Sequence, residues 1–169
     1  ASSICASLFQ IGGYTMRINF YDTRIVDDSR TILVKEKGVN CESTKMNCPE
    51  EIYRMLQTLL HMDELAEEHC YMIALNSSCK ILGMFLLSKG TVSESLLSPR
   101  EVFLRAALIG AVQIILCHNH PSGNPVPSEC DMELTKRLKD CGELLNICLA
   151  DHIIIGHNSY LSFREAKLL

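Results

Sequence analysis

Apolar residues recur along this chain with two different spacings, and the changes of spacing divide it into elements. From Pro49 the apolar positions Ile52, Met55, Leu56 and Leu59 fall at helical intervals behind a first turn of Pro49, Glu50 and Glu51. Proline fits a first helical turn and carboxylates favour its positive end, so the pattern predicts an amphipathic helix ending near Glu67. Cys70 to Leu75 and Ile81 to Leu87 are apolar runs joined by Asn76-Ser77-Ser78-Cys79-Lys80, which predicts a hairpin of two central strands. Ser98-Pro99-Arg100-Glu101 has the form of a capping box and predicts a helix through about Gly110. Gln113 to Cys117 then reads as a buried β-branched strand.

Ser128 is positioned to cap a further helix that carries Met132, Leu134 and Leu138 toward Gly142, and Ile147 to Gly156 reads as another buried strand. A second capping box, Ser162-Phe163-Arg164-Glu165, predicts a short terminal helix. Before Pro49, Arg17 to Val26 and Thr31 to Val34 read as short edge strands, and Glu36 to Met46 as a polar connection. Ala1 to Thr15 show no periodicity, no initiating Met and no basic leader region, so they read as a loose tail or a start-site artefact, with Met16 the candidate start. Helices and strands alternate without an internal repeat. The expectation is one α/β (or α+β) domain built as layers around a sheet.

At 169 residues and 47% hydrophobic content, the chain fits a single core. Its apolar runs are all shorter than a membrane span, which predicts a soluble, cytoplasmic protein. A net charge of −4 argues against a broad phosphate-binding surface, which requires clustered lysine and arginine. Nine cysteines without a C-x-x-C pair read as reduced, mostly buried thiols.

Alternation along the Gln113 strand turns His118 and His120 to one face. Pro121, Gly123, Pro125 and Pro127 end the strand and stiffen the loop, so the chain enters the next helix at Ser128 with Asp131 in its first turn. Two imidazoles and a carboxylate would hold one tetrahedral zinc ion and leave a fourth position for water, the catalytic rather than the structural arrangement. The plainer reading is a strand-end histidine pair beside a turn, with Asp131 serving the helix dipole. The coincidence of paired histidines, stiffened loop and carboxylate favours the metal. A water-activating site also needs a proton acceptor. Glu64, Glu67 and Glu68 are candidates, and spacing does not choose among them. His152 lies in an apolar strand and reads as a satisfied core histidine rather than a partner of the site; Cys117 should face away from His118, and Cys130 off the direction of Asp131.

The spacing His118-x-His120, seven residues, Ser128, two residues, Asp131 resembles that of the RadC family of JAMM/MPN-type zinc metalloproteins. Supporting matches are His118-Asn119-His120-Pro121-Ser122-Gly123, Gly90-Thr91, Pro99-Arg100-Glu101 and Asp151-His152-Ile153-Ile154-Ile155-Gly156, and the likeness covers roughly Pro49 to Leu169. It implies a JAMM/MPN-like catalytic domain over residues 49–169, with a central mixed sheet flanked by helices; the chain before it reads as a leader or disordered tail (1–15) and N-terminal edge strands and connection (16–48). It also implies His118, His120 and Asp131 as zinc ligands, and Glu68 as the general base with Glu67 as fallback. Ser128 would help to hold an oxyanion, in competition with its use as a helix cap. The activity implied is metallopeptidase or isopeptidase chemistry on a peptide or protein substrate.

Two other classes were weighed. A DNA-associated, non-catalytic module follows from the family's DNA-repair label, but the acidic charge disfavours it, and no helix-hairpin-helix glycine turn stands before Pro49. A zinc nucleoside deaminase requires His-x-Glu and Pro-Cys-x-x-Cys, and this chain has neither.

Overall fold

The computed structural model describes residues 16–41, 48–90 and 97–169. In chain order the elements are β1 (Met16–Val26), β2 (Arg30–Cys41), α1 (Pro49–Leu60), β3 (Glu68–Leu75), β4 (Ile81–Gly90), α2 (Pro99–Leu108), β5 (Gln113–Asn119), α3 (Glu129–Leu145), β6 (Cys148–Gly156) and β7 (Ser159–Ser162). The strands form one seven-stranded sheet in the order β2-β1-β4-β3-β5-β6-β7. Pairings β1–β4 and β5–β6 are parallel and the rest antiparallel, so the sheet is mixed and the domain α/β, as expected.

The sheet is covered on both faces, which is why β3 and β5 read as unbroken apolar runs. On one face Ile52, Met55 and Leu56 of α1 pack with Ile73, Ile115 and Ile153. On the other, Val102 and Phe103 of α2 and Leu134 and Leu138 of α3 pack with Met72, Ile114 and Leu116. Burying these side chains is the main stabilising contribution, roughly 1.5–3 kcal/mol for each fully buried large one. Strand β5 connects through α3 to its parallel neighbour β6, and this crossover sets the start of α3 beside the end of β5.

Several elements differ from the sequence expectations. The polar connection from Glu36 is strand as far as Cys41, with the remainder outside the described residues, as are Thr91 and the leader. Pairing with β1 rather than an apolar pattern makes it a strand: Lys37 lies over the Phe20 ring, and a side chain at Gly38 would strike the Arg17 guanidinium. Of the two expected edge strands only β2 lies at a sheet edge, since β1 is enclosed between β2 and β4. Helix α1 stops at Leu60, short of Glu67, because His61 takes a left-handed conformation (φ 48°) and returns its N–H to the Gln57 carbonyl. Met62 in the following 3-10 turn is then driven into the core.

Helix α2 begins at Pro99 as predicted but without the capping box. Ser98 makes no side-chain cap, and the Glu101 carboxylate pairs with Arg100 and Arg105 instead. Helix α3 runs through Gly142 to Leu145, and Met132 faces outward. No helix follows Ser162: that residue ends β7, a strand the sequence reading missed, and its hydroxyl donates to Asp151 while accepting from Glu165 N–H. Phe163 then enters the core, which a helix from Ser162 would not require. Among the described residues no helix is long and apolar enough to cross a membrane, and the described cysteines are free thiols.

Candidate metal centre

Strand alternation places His118 on the α3 side of β5, and the ladder to β6 continues one step further, with His120 N–H donating to the Ile155 carbonyl at 2.8 Å. The loop from Pro121 to Pro127 is held against β6 by two glycines. Gly123 has φ 79° and accepts from His157 N–H, and a Cβ on Gly156 would lie 2.4 Å from the Gly123 carbonyl oxygen. That close approach permits no side chain and fixes where α3 starts. Ser128 caps α3 in a reciprocal box: Asp131 N–H donates to Ser128 Oγ (3.2 Å), while Ser128 N–H and Oγ–H both donate to Asp131 Oδ2 (2.7 Å each).

Three side chains converge as a result. His118 Nε2 lies 3.0 Å from His120 Nε2 and 3.2 Å from Asp131 Oδ1, and His120 Nε2 lies 3.4 Å from Asp131 Oδ2. Tetrahedral zinc with bonds of about 2.0–2.2 Å separates its donors by roughly 3.3–3.6 Å, so the cluster admits the ion with a small expansion. His118 and Asp131 are buried, whereas His120 is partly exposed and leaves an approach from solvent.

The protonation pattern suits a cation. Burial alone would raise the Asp131 carboxyl, but the hydrogen bonds that protonated His118 and His120 would donate, attraction to a charged His118 and the Ser128 hydrogen bond outweigh it and hold the group well below the usual carboxylate range. His120 Nδ1 donates to the Asn124 carbonyl at 2.8 Å, and a carbonyl can only accept, so the Nε2 lone pair of the neutral ring faces the centre. The Asp131 carboxylate, which would accept a hydrogen bond from a protonated Nε2, raises the His120 pKa against burial. Cys70, paired across from His118, is not among the converging groups, and burial pushes its thiol pKa up.

Register distinguishes the three glutamates by position. Cys70 pairs with His118, so Glu68 falls opposite His120 and its side chain shares the face of both histidines. Glu67 precedes β3 and forms an exposed ion pair with Lys89 at 3.3 Å, and Glu64 is exposed in the 3-10 turn. Asn119, the middle residue of His-x-His, was not singled out from the sequence, yet it fixes this segment. Its buried carboxamide accepts from His69 N–H (2.8 Å) and donates to the Glu67 and Leu65 carbonyls (3.1 and 3.4 Å). A cleft of about 400 Å³ lined by Ala66, Glu67, Glu68, Gly90 and Pro121 opens beside the site. A larger one, about 820 Å³, lies at the opposite end of β5 and β6 around Val112, Gln113 and Cys148, and includes none of these residues.

His152 corrects the sequence reading. It is fully buried and hydrogen-bonded, as a core histidine should be, but its partner is the site itself: Nε2 lies 2.8 Å from His118 Nδ1, and Nδ1 lies 2.6 Å from Thr135 Oγ. Thr135 follows Asp131 by one helical turn, which was a legible signal, whereas the contact between His152 and His118 depends on β5–β6 register. Desolvation first, then repulsion from His118, drives the His152 pKa well below the ordinary histidine value. Cys117 faces the opposite core and Cys130 is exposed, as expected.

A family model described as a RadC-like JAB domain matches residues 46–168. The chain belongs to this family. The RadC-like match takes in α1 through β7 and every residue of the cluster. Among curated proteins, a UPF0758 protein of Clostridium acetobutylicum is 41% identical over 128 residues, covering 76% of this chain and 55% of the relative. A UPF0758 protein of Enterococcus faecalis is 44% identical over 112 residues, covering 66% and 47%. The chain thus spans about half the length of the curated relatives it matches.

Proposed function

We propose that this RadC-like domain is a zinc-dependent amide hydrolase, a metallopeptidase or isopeptidase, with His118, His120 and Asp131 holding the ion. The observation that supports the reading most directly is the convergence of two imidazole Nε2 atoms and a carboxylate within 3.0–3.4 Å of one another. Zinc bound there would supply Lewis acidity, polarising a carbonyl and making water acidic enough to attack at neutral pH.

The chain's own residues do the rest. Glu68 shares the histidines' face at the edge of the cleft, where it would accept a proton from the attacking water and return it to the leaving nitrogen. Ser128 would help to hold the developing oxyanion. Its hydroxyl now donates to Asp131, so that role requires rotating the O–H to the substrate while Ser128 N–H keeps its bond to Asp131 Oδ2. Partial exposure of His120 admits a chain substrate from one side. The substrate class proposed with this chemistry is a peptide or protein.

The test is a comparison of cleavage products from wild type and Glu68→Gln, each assayed for bound zinc. The reading expects hydrolysis to fall at least about 100-fold in Glu68→Gln while zinc is retained. Equal hydrolysis by both proteins would remove Glu68 as the base.

A further inference from the structure

Hydrogen-bond accounting around His152 leaves one consistent arrangement of protons. The Asp131 carbonyl has none to give, and Thr135 Oγ lies 2.5 Å from it, so the single hydroxyl proton of Thr135 belongs in that contact. Thr135 Oγ therefore presents a lone pair to His152 Nδ1 at 2.6 Å, and Nδ1 must carry the proton. His152 is wholly buried with no carboxylate in hydrogen-bond contact, so a charged ring there would be costly, and its Nε2 is bare. Nε2 then accepts from His118 Nδ1 at 2.8 Å. His118 is left with its Nε2 lone pair aimed at Asp131 Oδ1 and His120.

We propose that Thr135 and His152 are positioning residues that select the metal-binding tautomer of His118, in a relay that starts at the backbone carbonyl of Asp131. The relay closes on itself, because Asp131 supplies a ligand through its carboxylate and orders a second ligand through its carbonyl. Phe163, stacked on His152 with centroids 4.6 Å apart, holds the ring in plane for both contacts. The whole path lies within α3, β5 and β6, so the end of β5 cannot shift against α3 without breaking it. Outer partners of this kind typically change metal affinity 10- to 100-fold.

The inference rests on the metal reading, and two measurements on the full chain separate them. Zinc affinity is determined by chelator competition for wild type, Thr135→Val and Thr135→Ser. Valine keeps the shape and lacks the hydroxyl, and serine restores it. The relay predicts zinc bound about 10- to 100-fold more weakly by Thr135→Val and wild-type affinity in Thr135→Ser. Long-range proton–nitrogen correlation spectra of zinc-loaded, ¹⁵N-histidine-labelled protein should show His118 and His152 both protonated on Nδ1. Wild type that binds no zinc would overturn the metal reading. Zinc bound equally by wild type and Thr135→Val, or a proton on His152 Nε2, would overturn the relay and leave the metal reading standing.

Discussion

Each of the three side chains at the centre is set by a different local rule. His118 is aimed by strand alternation and His152, His120 by the Asn124 carbonyl, and Asp131 by the capping box with Ser128. The pH dependence of zinc binding follows. With Nδ1 already donating to Asn124, the proton that charges His120 sits on Nε2 and competes directly with the metal. Because the His120 pKa is raised, that competition begins above the ordinary histidine range as pH falls. Asp131, held far down, stays ionised throughout. Chelator competition should show a flat affinity in alkaline solution and then about a tenfold loss per pH unit for each ligand protonated. An onset well below pH 6.5 would contradict the assigned role of the His120–Asp131 contact.

At the level of elements, two connections carry the site. Asn119 joins the end of β5 to the start of β3 through three hydrogen bonds, and so determines where Glu68 stands. Asn119→Ala strands one buried N–H and two carbonyls, at a cost of about 1–3 kcal/mol. Its expected signature is faster amide exchange in residues 65–69 with zinc stoichiometry unchanged, measured by hydrogen exchange and metal analysis; unchanged exchange would deny the clamp. Gly156 is the second connection. Gly156→Ala places a methyl against the Gly123 carbonyl and must displace the loop that leads to α3. It should lower stability by about 1–3 kcal/mol in a denaturant titration and weaken zinc binding as well. Normal binding in a folded Gly156→Ala would detach loop geometry from the site.

For the whole molecule, what was legible in the sequence is what local pattern encodes. Periodicity revealed α1, the β3–β4 hairpin, β5, α3 and β6, and the spacing from His118 to Asp131 revealed the cluster. Features that depend on pairing were not legible. The polar half of β2 is strand only because β1 lies beside it, and β7 because it pairs with β6. The choice of Glu68 over Glu67 rests on family resemblance, to which the structure adds only that the β3–β5 register brings Glu68 opposite His120 while Glu67 pairs with Lys89. His152 was misjudged for the same reason: strand alternation shows the face a side chain takes, but not its neighbour on the adjoining strand. The sheet therefore brings the start of β3, with Glu68, alongside the end of β5, some fifty positions later, where the histidine pair stands.

The measurement that bears most directly on this account is the zinc content of purified wild type beside that of His118→Ala, with folding of each checked by its thermal transition. One zinc per chain in wild type and its loss from folded His118→Ala is the predicted result. Wild type without zinc, or His118→Ala retaining it in full, would contradict the account.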